Sequence, residues 1–296
     1  MTGNWGRWGA DDELGAMNLI TEDKRRAATA LVRSGRAFSL GQNIQSGGVP
    51  MVSDGAKGYF IRPMHFMMYD GGDEPAGIPT RGDCYFSSED FLALRIHGTT
   101  THVDGLAHGW KHSQLYNGFD SKAVNSFGAS KLGIQNLEHV VTRGLLYDVA
   151  RAKGVDHLPE SYEITIDDLK SCDNPPVEPG DAILVRTGWY TVYYSDPARY
   201  AGAWPGLGAE AACWLAEQDV VLLGSDNVGV EVLGGDLTAF GSPVHGLMLR
   251  DYGVYLLELL VLEELAAADV QEFLFMMAPL RITGGTGSPV NPLAII

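Results

Sequence analysis

The 296-residue sequence predicts a single-domain α/β protein. Apolar segments of strand length alternate with segments of helical periodicity along most of the chain. Hydrophobic residues make up 45% of the chain and charged residues 20%, the composition of a globular protein with a sizeable core. No internal repeat or low-complexity linker divides the sequence. We therefore predict one domain over residues 1–296, with residues 1–20 as an N-terminal arm or lid.

The predicted elements begin with a short helix after Thr21, which is placed as an N-cap because acidic residues follow it in the first turn. Residues 41–58 are rich in glycine and predict irregular structure. The other predictions rest on apolar runs and helical periodicity. In chain order they are strands over 61–69, 91–96 and 144–150, a helix over 165–172, a strand over 181–187, a helix over 209–218, a strand over 220–224, a helix over 263–268 and a strand over 272–279.

Charge and cysteine content exclude several classes of protein. The formal net charge is −16 and no Lys/Arg stripe is present, which argues against a nucleic-acid surface. No apolar stretch approaches membrane-spanning length and the N-terminus lacks the features of a secretory signal, so we expect a cytoplasmic protein with no membrane partner. Cys84, Cys172 and Cys213 lie far apart and form no CxxC pair, so we expect free thiols.

Three histidines and an aspartate lie within twelve residues: His97, His102, Asp104 and His108. Asp104 is two residues beyond His102, and His108 is four beyond Asp104. An extended segment would therefore place these three side chains on one face. His97 lies five residues before His102 and needs a bulge or turn to join them, which Gly98 can provide. The cluster directly follows a predicted strand and predicts a metal site.

Imidazole and carboxylate ligands suit Zn, Mn or Fe, and a catalytic site keeps one coordination position open. His97, His102 and Asp104 are the candidate ligands of a first divalent ion. Bound zinc lowers the pKa of its water toward about 7 and polarises a carbonyl oxygen, which predicts hydrolysis by attack of metal-bound hydroxide. His108 is then either a ligand to a second ion bridged by Asp104 or an unligated general base.

Two distant residues are further candidates. The chain between His245 and Glu258 predicts a short helix, a turn at Gly253 and a strand, so both side chains could face one cavity. Glu258 lies in the apolar stretch 254–262, where a buried carboxylate needs a metal, a cation or a proton. The alternative is a solvent-facing glutamate on an edge strand.

The pattern from His97 to His108, His-Gly-Thr-Thr-Thr-His-Val-Asp-Gly-Leu-Ala-His, resembles the metal motif of the Putative cyclase family of metal-dependent hydrolases, which includes kynurenine formamidase and isatin hydrolase. The formamidase branch has one residue fewer between its first two histidines and a proline before its last histidine. Other blocks that look like those of the family follow in the expected order, at residues 180–189, 224–231, 245 with 255–258, and 279–289. The resemblance spans nearly the whole chain.

This resemblance implies a swivelling β/β/α fold with a central mixed sheet or barrel and peripheral helices. It also implies one or two divalent ions, Zn or Mn, and hydrolysis of a small cyclic or aryl amide, imide or lactone. A homodimer or homotetramer acting on a small-molecule substrate is expected. Matched to the family, the first-ion ligands are His97, His102 and Asp104, and the second-ion or catalytic residues are His108, His245 and Glu258, with Asp104 shared.

Aromatic side chains are candidates for lining an apolar substrate pocket. Trp189, Trp8 and Phe66 are the predicted substrate contacts, and Trp189 is preferred, although such residues more often belong to the core. The glycine-rich stretch 284–288 lacks the Gly-Lys-Ser/Thr ending of a P-loop and predicts a tight turn.

Two alternatives stay open at this point. His102, Asp104 and His245 also match the two-His, one-carboxylate triad of a mononuclear iron oxygenase. In that case His97 and His108 would be surplus, and alternating helices and strands do not suit the all-β barrel that usually carries the triad. The second alternative is a non-catalytic family member that binds a metabolite or a metal.

Overall fold

A computed structural model describes residues 3–45, 63–77, 87–200, 202–234 and 243–296. The strands are β1 (Ala37–Ser39), β2 (Met64–Tyr69), β3 (Glu89–Ala93), β4 (His102–Asp104), β5 (Val124–Asn125), β6 (Gly128–Ala129), β7 (Val140–Asp148), β8 (Glu163–Ile164), β9 (Ala182–Arg186), β10 (Gly206–Leu207), β11 (Leu222–Ser225), β12 (Tyr255–Glu258), β13 (Glu272–Met277), β14 (Gly287–Pro289) and β15 (Leu293–Ile295). The helices are α1 (Glu22–Thr29), α2 (Val149–Ala152), α3 (Ile166–Lys170), α4 (Tyr190–Ser195), α5 (Pro197–Tyr200), α6 (Ala209–Ala216), α7 (Pro243–His245) and α8 (Glu263–Ala267), and a π-helical segment, Gly246–Tyr252, continues α7.

Nine strands form one mixed sheet in the order β1-β15-β13-β7-β9-β11-β12-β4-β14. The strands β7, β9, β11 and β12 are parallel to one another, and the remaining pairs on both sides are antiparallel. All residues of β9 and β11 are buried, as expected for central parallel strands that are covered on both faces. The predicted α/β fold with a central mixed sheet and peripheral helices is confirmed, and the prediction of one domain stays a prediction.

Short-range signals determine several element boundaries. The Thr21 hydroxyl accepts a hydrogen bond from the Lys24 backbone N–H at the start of α1, as predicted. Thr165 and Asp168 form a reciprocal capping box at the start of α3. The strand predicted from residue 144 begins earlier, at Val140, because β7 pairs with β13 along six residues as well as with β9.

The antiparallel hairpin of β2 and β3 stands apart from the main sheet. Strand β2 confirms the strand predicted over 61–69, of which residues 61–62 lie outside the described residues. Most of the irregular segment predicted over 41–58 also lies outside the described residues. The second strand runs over Glu89–Ala93, earlier than the predicted 91–96, because its register follows β2. The histidine cluster therefore does not follow directly on the predicted strand, because residues 94–101 connect β3 to β4 without strand structure.

The described part of the predicted N-terminal arm packs on the domain. The Asn4 backbone N–H donates to the Asp251 carbonyl oxygen at 3.0 Å, and the Gly6 N–H donates to Asn117 Oδ1 at 2.8 Å. The Trp5 indole N–H donates to the carbonyl of Arg250 at 2.6 Å. These bonds hold the arm against the π-helical segment and the turn that contains Asn117.

Within the described ranges, no helix has both the length and the apolar character needed to cross a bilayer. Cys172 and Cys213 are free thiols, as predicted, and Cys84 lies outside the described residues.

Candidate metal centre

The centre is built on the antiparallel pair β4 and β12, in which His102 lies opposite Glu258. His102 and Asp104 are two residues apart and face the same side, as predicted from strand periodicity. All three side chains are buried. His102 Nε2 lies 3.4 Å from Asp104 Oδ1 and 3.3 Å from Glu258 Oε2. The sheet register thus brings one imidazole nitrogen between two carboxylates.

The contact made by Nδ1 of His102 determines which nitrogen of the ring carries a hydrogen. His102 Nδ1 lies 2.8 Å from the Thr100 carbonyl oxygen. Because a carbonyl oxygen only accepts, Nδ1 carries a hydrogen. When the ring is neutral, as metal binding requires, the Nε2 lone pair therefore faces the carboxylates. Within the part of the chain that the structure describes, His102 Nε2, Asp104 Oδ2 and Glu258 Oε1 are buried atoms without a hydrogen-bond partner. A divalent cation fits this donor set, because it would satisfy all three atoms.

His97 reaches the centre through a turn. Gly98 has a φ of +77°, the irregular backbone that the sequence predicts at this position. His97 Nδ1 lies 2.6 Å from Asp104 Oδ1, and its Nε2 lies 3.0 Å from Thr286 Oγ1. His97 therefore contacts a carboxylate of the centre despite its odd spacing from His102.

His108 joins the cluster by a different route from the predicted one. Strand β4 ends at Asp104, and the His108 backbone N–H donates to the Gly105 carbonyl at 2.9 Å, which closes a turn. The expectation of an extended segment as far as His108 is therefore wrong. The turn stacks the His108 ring on His97, with centroids 3.9 Å apart, and leaves His108 Nε2 3.9 Å from Asp104 Oδ2.

His245, on the short helix α7, completes the cluster although it lies far from the other three histidines in the sequence. Its Nε2 lies 3.1 Å from Glu258 Oε1 and 3.5 Å from Asp104 Oδ2. Its Nδ1 lies 2.6 Å from Glu231 Oε1. His245 and Glu258 thus face a common site, as the sequence predicts.

The structure brings all six predicted metal and catalytic residues together. Two groups have candidate ligand atoms within 4.8 Å of one another, and Asp104 belongs to both. The first group is His97, His102 and Asp104, and the second is Asp104, His108 and His245. The side chains of His97 and His108 are 24% and 31% exposed, more than those of the other four residues. Solvent therefore reaches the centre from the side of these two histidines.

The buried carboxylates dominate the electrostatics of the centre. Burial opposes protonation of His102, but the nearby carboxylates of Asp104 and Glu258 raise its pKa to about 10. The pKa of His245 is likewise raised well above its usual value against burial, through the nearby carboxylates of Asp104, Glu231 and Glu258. The carboxylates therefore favour a positive charge beside them, which either the protonated rings or a bound cation would supply.

His108 behaves in the opposite way. Burial lowers its pKa to about 4 despite the attraction of Asp104, and repulsion from His97 acts in the same direction as burial. The ring is then neutral near pH 7 and has a nitrogen available to accept a proton.

The three predicted substrate contacts lie in different environments. Trp189 has no exposed surface, belongs to a second apolar cluster and donates its indole N–H to the Tyr200 carbonyl. A fully buried side chain offers no surface to a substrate, so its placement supports the core alternative. Trp8 is half-buried on the N-terminal arm, and Phe66 is exposed on the β2–β3 hairpin, stacked on Phe91. Substrate contact by Trp8 and Phe66 stays a prediction.

Two residues at the centre were not singled out from the sequence. Thr286 contacts His97 from the glycine-rich stretch, for which the sequence predicts a tight turn. Glu231 contacts His245 and ends the block 224–231. The available signal was an acidic residue directly after the apolar run Val228-Gly-Val230. Neither contact follows from local spacing, because each joins segments that are distant along the chain.

The model of the family described as Putative cyclase matches residues 40–232, which include the histidine cluster. The chain belongs to this family. The recognition made from the histidine motif is therefore confirmed.

Individual relatives agree with this assignment. Isatin hydrolase of Roseibium aggregatum is 29% identical to this cyclase-family protein, covering 71% of this chain and 76% of that protein. A crystal structure of a novel cyclase superposes with a TM-score of 0.89 and 35% identity over 99% of both chains. An isatin hydrolase bound to the product analogue thioisatinate has a TM-score of 0.64 at 21% identity, over 90% of this chain and 94% of that one, and shows a shared fold. The isatin hydrolase relative and the family match support a hydrolase of the cyclase family.

Proposed function

We propose that this protein is a metal-dependent hydrolase that attacks the carbonyl carbon of a small cyclic or aryl amide, imide or lactone. The observation that carries this proposal is the convergence of His102 Nε2 and His245 Nε2 on the carboxylates of Asp104 and Glu258 in a buried site. Such a set of imidazole and carboxylate donors suits zinc or manganese.

The residues that would hold a first ion are His97, His102 and Asp104. A second ion would be held by Asp104, His245 and Glu258, with His108 either as a fourth donor or, as we propose below, unligated and free to act as the base. A bound divalent ion supplies Lewis-acid polarisation of a carbonyl and lowers the pKa of a coordinated water toward about 7. Asp104 could serve both sets of ligands, because Oδ1 faces His97 and His102 while Oδ2 faces His108 and His245.

The chain's own groups would orient the reaction. His97 and His108 form the open side of the centre, so the scissile carbonyl would enter along their stacked rings. His108 would accept the proton of the attacking water and return it to the leaving nitrogen or oxygen. Stacking on His97 would hold the His108 ring in place for both transfers. Glu258, at 5% side-chain exposure, is the second candidate for moving this proton.

The similarity to isatin hydrolase makes isatin, a cyclic amide fused to a benzene ring, the first substrate to test. The small-molecule substrate, the homodimer or homotetramer and the cytoplasmic location stay predictions.

The decisive experiment compares metal-stripped and metal-reloaded protein on isatin, an N-formyl aryl amine, a cyclic imide and a lactone, with products followed by liquid chromatography and mass spectrometry. We expect turnover only after Zn or Mn is restored. His102→Ala and Asp104→Asn should lose metal and turnover together, because both are ligands. His108→Gln should keep the first ion but lose about 10²- to 10⁴-fold in kcat. The control is His139→Gln, since His139 is exposed and outside the centre.

Full-rate turnover by protein that elemental analysis shows to be metal-free would overturn the proposal. Tight binding across the panel without product would favour a non-catalytic metabolite-binding protein. Oxygen consumption with Fe(II) and 2-oxoglutarate would favour the oxygenase alternative. His102, Asp104 and His245 do converge as that alternative requires, but Glu258 faces the same nitrogen atoms, and the family relationship supports hydrolysis.

A further inference from the structure

We infer that Glu231 is a positioning residue that holds His245 in the tautomer and orientation needed to bind a metal ion through Nε2. This inference rests on the proposed metal centre. Glu231 lies outside the six residues assigned to that centre and contacts it through His245 alone among them.

Both carboxylate oxygens of Glu231 have a partner on α7. Oε1 lies 2.6 Å from His245 Nδ1, and Oε2 accepts the Val244 backbone N–H at 2.8 Å. The Glu231 side chain is 5% exposed, so water competes little with these bonds. The carboxylate therefore holds both the His245 ring and the backbone of Val244, the residue before it.

The backbone of Glu231 is itself held from several directions. The Trp204 indole N–H donates to the Glu231 carbonyl at 2.9 Å, and Asn227 Oδ1 accepts the Val230 N–H at 2.7 Å. Gly206 approaches so closely that any side chain there would overlap the Glu231 backbone. Val230 has a φ of +60°, a strained conformation for a β-branched residue that persists only where the surroundings determine it. Glu231 thus presents its carboxylate from a rigid corner.

The tautomer follows from the chemistry of the pair. An ionised carboxylate only accepts hydrogen bonds, so Nδ1 of His245 carries a hydrogen. In the neutral ring this leaves a lone pair on Nε2, which points at Glu258 Oε1 and Asp104 Oδ2. A carboxylate behind a metal-binding histidine orients the ring and raises its basicity, and its loss typically weakens metal binding 10- to 100-fold.

The near-isosteric Glu231→Gln variant of the full-length protein tests this role. The glutamine oxygen can serve only one of the two donors, so its NH₂ group opposes either the Val244 N–H or His245 Nδ1. We expect a loss of about 10- to 100-fold in affinity for the zinc ion whose binding His245→Ala weakens, measured by competition with a chromophoric chelator. The double variant should lose no more than His245→Ala alone, since Glu231 acts through His245. The control, Glu138→Gln, removes a carboxylate from an exposed ion pair and should change nothing.

Nitrogen-15 NMR of the histidine rings provides a readout independent of activity. In the metal-loaded wild-type protein, His245 should show a protonated Nδ1 and a metal-bound Nε2, and Glu231→Gln should lose this pattern while His102 keeps its own. Wild-type zinc affinity and unchanged His245 signals in a folded Glu231→Gln protein would overturn this inference and leave the proposed function standing. If the wild-type protein bound no divalent ion, the proposed function would fail together with the inference.

Discussion

His97 lies against Gly287, a residue without a side chain. A Cβ atom placed on Gly287 would lie 2.7 Å from His97 Cε1 and 2.8 Å from the Val103 carbonyl oxygen. Both distances are shorter than van der Waals contact allows. Gly287 therefore lets strand β14 pair with β4 while the imidazole lies across it.

We expect Gly287→Ala to lower the free energy of unfolding by about 1–3 kcal/mol and to displace His97 from Asp104, because the added methyl group must overlap the ring or the strand. Chemical denaturation and zinc affinity measure the two effects. Gly71→Ala is the matched control, since a Cβ atom there has nothing within 4 Å. Wild-type stability and zinc affinity in Gly287→Ala would show that the site has room for the methyl group.

Strained backbone also flanks the carboxylates of the centre. Val230 precedes Glu231 and Leu259 follows Glu258, with φ values of +60° and +58°. A non-glycine residue in this region costs of order 1–3 kcal/mol and persists only where other contacts hold it. Asn227 provides such contacts at both places, because its side chain accepts the Val230 N–H and its carbonyl accepts the Leu259 N–H.

At the scale of elements, one buried carboxylate joins the carboxyl ends of β9 and β11. Asp226 follows β11 and accepts the Thr187 N–H and hydroxyl on Oδ1, and the Gly188 N–H on Oδ2. Thr187 and Gly188 follow β9, so the bonds close the turn between that strand and α4. Burial raises the pKa of Asp226 to about 6, although the bonds from Thr187 oppose this shift.

This shift predicts a pH dependence of stability. The folded-state pKa, about 6, lies above the unfolded value of 3.8, so the stabilising contribution is complete below pH 3.8 and is lost as pH rises through 6. Relative to Asp226→Asn, which does not titrate, the wild-type protein should gain about 2 kcal/mol in free energy of unfolding between pH 7 and pH 4. Urea unfolding across this range measures the difference. The difference in stability between the wild-type protein and Asp23→Asn, a change at an exposed site, should show no comparable trend with pH. A gain of the wild-type protein over Asp226→Asn with rising pH would contradict the prediction.

At the scale of the whole molecule, a buried ion network ties helix α1 to the main sheet. The Asp181 side chain has no exposed surface and precedes β9. It binds Lys24 of α1 at 2.6 Å and Arg143 of β7 at 2.6 Å, and Arg143 continues to Glu272 of β13 at 2.9 Å. The network therefore spans three strands and the helix that covers them.

Removing the central carboxylate should leave two nearly buried cations without their shared partner. We expect Asp181→Ala to lower the free energy of unfolding by about 3–5 kcal/mol, measured by urea denaturation. Asp269→Ala removes an exposed partner of Arg151 and should change it by less than about 1 kcal/mol. Equal effects of the two substitutions would show that the buried network contributes no more than a surface pair.

Local features were predictable from the sequence alone. The helix start at Thr21 and the buried strand β9 follow from capping and apolar runs over a few residues. The shared face of His102 and Asp104 follows from the two-residue period of a strand, and the motif that contains them led to the correct family.

Only the tertiary structure decided how the centre is completed. His102 faces Glu258 because of the register between β4 and β12, and a shift of one residue would turn the glutamate to the other face. The contacts of Glu231 with His245 and of Thr286 with His97 join segments far apart along the chain, and the burial of Trp189 depends on a core assembled from distant residues. Local periodicity and capping act over a few residues, whereas register and packing depend on the whole sheet. The sequence by itself therefore determined the shared face of His102 and Asp104 and indicated the family, and the tertiary structure determined which distant side chains complete and orient the candidate site.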